Sequence, residues 1–163
     1  MDINILKPFE PLFRGSLSDK RLIIFYGGRG GGKTDQITLF LLYKALTEKN
    51  ITILVGREFE KANINSLVSN FKRWIYALNL DNVFLEQNVK LLKITTQKII
   101  CNATNTDILF LGINHNSIMS IKSIPNIKYA WIEEANYLKE QTYRILTPTI
   151  IYQKSFIAQT SIK

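Results

Sequence analysis

The chain contains a single cysteine, Cys101, and a single histidine, His115. One cysteine excludes an internal disulfide and a cysteine-built metal site. His115 has no second ligand near it in a polar segment, so it reads as a surface residue. Cys101 reads as a small buried residue. No apolar run approaches the roughly 20 residues that a membrane-spanning helix requires. The start, Met1-Asp2-Ile3-Asn4, lacks a basic stretch leading into an apolar one, which argues against a secretory signal. No Gly/Ser/Pro-rich linker, low-complexity tract or internal repeat divides the chain. These absences together lead us to expect a soluble protein of a reducing cytoplasm. Acidic residues are also scarce, 13 against 21 basic, for a net charge of +8. That balance suits a polyanionic partner such as a nucleic acid or a nucleotide. Lysine outnumbers arginine 15 to 6, and Ile and Asn are abundant, so AT-rich coding bias explains the charge equally well.

What is present is ordinary globular material: 163 residues, 46% hydrophobic and 21% charged. This length fits one domain, residues 1–163, able to bury about 70% of its unfolded surface. Residues 21–26, Arg-Leu-Ile-Ile-Phe-Tyr, form a β-branched and aromatic run stopped by glycine, the signature of a buried strand. Residues 34–48 carry Ile37, Leu41, Leu42 and Ala45 at helical spacing, and 51–56 read as a second strand. A second helix over 59–80 has its stripe at Ile64, Leu67, Val68, Phe71, Ile75 and Leu78. The runs 83–85, 89–95, 98–101 and 108–111 read as a meander or hairpins beside the main sheet. Segment 112–125 reads as a polar loop, 127–132 as a buried strand, 137–146 as a helix and 155–160 as a last strand. Trp74 and Trp131 fit helix-face and strand-core packing. The alternation predicts an α/β fold, a mainly parallel sheet flanked by helices, with an added antiparallel meander in the middle of the chain.

The first strand runs into Gly27-Gly28-Arg29-Gly30-Gly31-Gly32-Lys33-Thr34, which fits G-x-x-x-x-G-K-[ST] and opens a helix. The glycines let backbone N–H groups wrap phosphates, and the helix N-terminus adds partial positive charge. Lys33 would reach the β- and γ-phosphates of ATP, and the Thr34 hydroxyl would ligate Mg²⁺. The motif specifies a P-loop NTPase of the RecA-like type. Arg29 has two readings: a cis arginine finger on the γ-phosphate, or a solvated loop cation.

An ATPase also needs a carboxylate near Mg²⁺ and a group that orients the attacking water, both at the end of a buried strand. Tyr129-Ala130-Trp131-Ile132-Glu133-Glu134 has that form. Glu133 would hold the Mg²⁺ shell and Glu134 would polarise water. Glu133 stands where Asp is usual and is one methylene longer.

These motifs, with Val55-Gly56-Arg57, Phe110-Leu111-Gly112-Ile113, Ile121-Lys122-Ser123-Ile124 and Trp131-Ile132-Glu133-Glu134-Ala135-Asn136, make the chain resemble the ATPase domain of the tailed-bacteriophage terminase large subunit, PBSX-like group. The resemblance spans roughly residues 20–160. It implies a motor ATPase that drives double-stranded viral DNA into a procapsid, working as a homo-oligomeric ring at the portal protein with a small terminase subunit, in the host cytoplasm. It also implies that Glu-Glu is an accepted acidic pair, and that an arginine belongs inside the loop. Further implications are a coupling role for Thr160 on the last strand, adenine contacts from the region of Phe13 and Arg14, and a phosphate or subunit contact at Lys122. The family continues into an acidic nuclease, of which this chain carries no cluster, so no nuclease activity is expected from it. Two rival readings share the motifs: a helicase-like or repair ATPase, and a non-catalytic nucleotide-binding remnant of a truncated prophage terminase.

Overall fold

The structure is a computed structural model that describes residues 3–17, 19–58, 61–113, 117, 120–151 and 155–161. Of these, the side chains of 61–64, 145, 147, 149–151 and 155–161 are outside the description. His115 lies outside the described residues altogether.

Seven strands form one sheet: β1 (Leu22–Gly27), β2 (Thr52–Arg57), β3 (Leu92–Ile94), β4 (Lys98–Cys101), β5 (Thr106–Gly112), β6 (Ile127–Glu133) and β7 (Ser155–Ser161). Their spatial order is β1-β7-β6-β2-β5-β4-β3. The first five of that order are parallel, and β4 and β3 continue the sheet antiparallel. The expected meander therefore exists but is shorter than the sequence implied. The run 108–111 belongs to β5, which pairs parallel to β2 and antiparallel to β4, so it is the hinge between the two parts of the sheet. The runs 83–85 and 89–95 contribute an isolated bridge, Phe84 to Lys90, and the three residues of β3.

Four α-helices are described: α1 (Glu10–Phe13), α2 (Lys33–Thr47), α3 (Lys61–Ala77) and α4 (Glu140–Ile151). Most of the stripes read from the sequence are buried, but α3 ends at Ala77, short of the expected residue 80, which leaves Leu78 half-buried beyond it, and the Ile64 side chain lies outside the description. Ile37, Leu41, Leu42 and Ala45 on α2, and Leu67, Val68, Phe71 and Ile75 on α3, are all at most 4% exposed. Strand alternation divides the sheet between two cores. Ile53 and Val55 of β2, with Tyr129 and Trp131 of β6, face α2 and α3. Leu54, Ala130 and Ile132 face the opposite side, with Leu146 of α4. Ile113 and Ile121, inside the segment read as a polar loop, are buried in this second core. The α4 helix starts three residues later than expected, behind a 3₁₀ turn at Ala135–Tyr137.

The sequence offered no reading of the first turns. Residues Lys7–Phe9 form a 3₁₀ turn that leads directly into α1. Phe9 and Leu12 are buried there, and Phe9 stacks on Phe25 of β1 at 4.8 Å. The other side of β1 is uncovered: Leu22, Ile24 and Tyr26 are 36%, 55% and 73% exposed.

Candidate active site: the phosphate loop and the acidic pair

The site forms at the C-terminal ends of β1, β2 and β6, where ligands of parallel α/β sheets bind. Gly27 to Gly32 turn the chain from β1 into α2. Gly32, immediately before the helix, has φ of +68°, and a Cβ there would come within 2.7 Å of Leu6 Cδ1. The left-handed φ is what favours glycine there, since the exposed Leu6 side chain could move aside. The Leu6 backbone is held by Gln36, whose Oε1 accepts from the Leu6 N–H and whose Nε2 donates to Asn4 O.

Lys33 is 8% exposed and folds back over its own loop, its Nζ donating to Gly27 O at 2.9 Å and Gly28 O at 2.6 Å. A buried ammonium must be paired, and these carbonyls satisfy it where phosphate oxygens would otherwise. Thr34 Oγ1 donates to Glu133 Oε1 at 3.0 Å across 99 residues of sequence. The loop and the acidic strand are thus in direct contact. Hydroxyl and carboxylate oxygens are the donor type that hard divalent cations take, so this pair fits Mg²⁺.

Register explains a further residue, Arg57, that the sequence had supplied only as part of a motif. Arg57 ends β2 and lies directly beside Glu133 on β6. Its Nε donates to Glu134 Oε2 at 2.9 Å, Nη2 contacts the same oxygen, and Nη1 stands 3.8 Å from Glu133 Oε2. The hydrogen bond that Arg57 donates to Glu134 raises its already high pKa. Burial pushes the Glu133 carboxyl up, opposed by the Thr34 hydrogen bond and the Arg57 charge. Glu134 has a left-handed backbone, φ 53° and ψ 43°. That conformation costs a non-glycine residue roughly 1 kcal/mol and is concentrated at functional sites.

Lys33, Thr34, Glu133 and Glu134 line an open cleft of about 380 Å³ with the rest of residues 29–35 and Asn70. Arg29 is exposed on its wall. Asn70 and Asp35 were not singled out in the sequence, and helical spacing alone carries no signal for them. A smaller cleft of about 160 Å³ opens on the other side of the loop, between Pro8, Phe9, Phe25 and Tyr26. Phe13 and Arg14 do not line it. Phe13 packs edge-on against Phe40 at 5.7 Å, and Arg14 pairs with Glu10. Lys122 is exposed and away from both clefts. Thr160 pairs with Tyr26 in the β1–β7 register, one residue before the loop, and its side chain lies outside the described residues. No described helix is long and apolar enough to cross a membrane.

The fold matches those of solved packaging proteins. The large terminase of bacteriophage HK97 superposes with a TM-score of 0.70 at 13% identity, covering 98% of this chain and 34% of that one. The large terminase of a thermophilic bacteriophage gives 0.72 at 14% identity, covering 98% and 39%. The N-terminal domain of the DNA packaging ATPase of bacteriophage phi29 gives 0.61 at 15% identity, covering 94% and 79%. The chain thus spans a little over a third of the length of the two large terminases. At these identities the likeness establishes a P-loop NTPase-like fold. No curated protein sequence matches the chain. The family model described as phage terminase large subunit matches residues 19–161, nearly the whole chain, and on that match the chain belongs to the phage terminase large subunit family.

Proposed function

We propose that residues 1–163 form an ATPase domain that binds ATP with Mg²⁺ in the 380 Å³ cleft, hydrolyses it, and powers movement of double-stranded viral DNA into a procapsid. The observation that carries this reading is the 3.0 Å contact between Thr34 and Glu133, which joins the two motifs at one point. Loop N–H groups from Gly27 to Gly32 cradle the phosphates, and Lys33 exchanges the Gly27 and Gly28 carbonyls for β- and γ-oxygens. Thr34 and Glu133 hold Mg²⁺, which supplies charge neutralisation on the phosphates when bound. Glu134 orients the attacking water and accepts its proton, once Arg57 releases the carboxylate. Arg29, on the cleft wall, stabilises charge on the transferred phosphoryl group. Thr160, on the strand between β1 and β6, couples the site to movement. In the assembled motor the partners are DNA, the portal protein, the small terminase subunit and further copies in a ring, in the host cytoplasm.

Two variants test the chemistry. Lys33→Ala should lose the ATP·Mg-induced rise in melting temperature, and an unchanged rise would refute the phosphate-loop assignment. Glu134→Gln should bind ATP·Mg like the wild type while phosphate release in the assembled motor falls by about 10²–10⁴-fold. Turnover near the wild-type rate would place the base elsewhere.

A further inference from the structure

Beside the cleft, which Asn70 lines, α3 carries Asn70, Arg73 and Trp74, spaced i, i+3, i+4 and so on one face of the helix. All three converge on the first turns of α2. Asp35, directly after Thr34, lines the phosphate cleft. Arg73 Nη2 forms a short contact with Asp35 Oδ1, and the Trp74 indole N–H donates to the same oxygen at 3.2 Å. Arg73 also donates to Asn70 Oδ1 at 2.7 Å, and Asn70 Nδ2 donates to Thr38 Oγ1 at 2.9 Å, one turn further along α2. The guanidinium lies 5.3 Å from the centre of the Trp74 ring.

Asp35 favours the helix dipole in the first turn, but the same N-terminal charge is what attracts phosphate. A free carboxylate there would repel a polyphosphate a few ångströms away. Two donors from a second helix meet on one of its oxygens. Arg73 is itself braced by Asn70 and Trp74, so the cancelling charge is held in place.

We propose that Asp35 is a positioning residue whose carboxylate, held and neutralised by Arg73 and Trp74, keeps the phosphate loop receptive to nucleotide, so that contact between α2 and α3 sets ATP affinity. The proposal rests on the nucleotide reading of the cleft. It predicts opposite signs for the two partners, which a merely structural ion pair does not. Arg73→Ala leaves Asp35 uncompensated beside the phosphates and should weaken ATP·Mg binding about tenfold at low salt, with the loss shrinking at high salt. Asp35→Asn should cost some thermal stability yet bind ATP·Mg at least as tightly as the wild type. The double variant Asp35→Asn/Arg73→Ala should recover most of the affinity lost in Arg73→Ala. Arg73→Lys, which keeps the charge, should stay close to the wild type.

The measurement is calorimetric titration of ATP·Mg into the full chain at two salt concentrations, with melting temperatures recorded in parallel. Unchanged affinity in Arg73→Ala, beside a wild type that binds, would overturn this inference alone. A double variant as weak as Arg73→Ala would also overturn it. A wild type that does not bind ATP·Mg would instead overturn the nucleotide reading on which it stands.

Discussion

Glu134 reaches its carboxylate position only through a left-handed backbone, and Arg57 holds it there with two nitrogens. Arg57 therefore balances two negative side chains at the end of one strand, and its removal should be felt by both. Glu133 makes the effect measurable by pH. Burial raises its pKa above the ordinary carboxylate value, so the fold favours its protonated form. That contribution is full below the unfolded pKa and is lost as pH rises through the folded one. The Arg57 charge limits the rise. In Arg57→Ala the folded pKa should climb further, so the variant's deficit against wild type should widen as pH rises above the ordinary carboxylate range. Thermal unfolding over that rise in pH checks it, and a deficit independent of pH would mean Arg57 does not govern the pair. The loop and both glutamates were legible as parts of one site because spacing and residue type mark them, and the structure brings Thr34 and Glu133 into contact. Arg57, Asn70 and Arg73 reach the site through strand register and helix packing, which depend on pairings across 77 residues for Arg57 with Glu134 and 38 for Arg73 with Asp35.

At the level of elements, Gly56 in the middle of the parallel sheet shows how closely the second core is packed. A Cβ there would come within 2.3 Å of Ile113 Cδ1 and 3.2 Å of Leu111 O. Gly56→Ala should cost about 1–3 kcal/mol, lowering the melting temperature by several degrees, because Ile113 is fully buried and has little room to move. A melting temperature equal to wild type would show that Ile113 repacks freely. Ile113 had been read as part of a polar loop, since the segment around it is rich in Asn and Ser and only tertiary contact buries it. The same limit applies to β5. Its alternation from Thr106 to Gly112 looks alike whether a neighbour runs parallel or antiparallel, and β5 has one of each. The long helices were legible because their stripes extend over several turns. The first turns, Lys7–Phe9 and Glu10–Phe13, are too short to show a period, and Phe9 is buried by the ring of Phe25 rather than by any local pattern.

For the molecule as a whole, one face of β1 is an exposed apolar surface among the described residues. Leu22, Ile24 and Tyr26 stand on one side of a strand at the sheet's edge, the situation most prone to self-association. Ile24, 55% exposed, has little packing to lose. Ile24→Thr should change stability by no more than about 0.5 kcal/mol while reducing hydrophobic-dye binding and concentration-dependent association. Dye binding equal to wild type would mean that this face is covered in solution. The sheet order has a consequence in time as well. Among the described strands β1 pairs only with β7, its Leu22 beside Phe156, which follows it by 134 positions (156 − 22). A ribosome releases the phosphate loop early, but the strand that carries it has no sheet to join until residues 155–161 emerge. On the proposed nucleotide reading the site is complete only after residues 155–161 have joined β1, so ATP should act on the formed sheet by slowing its unfolding rather than by hastening its assembly.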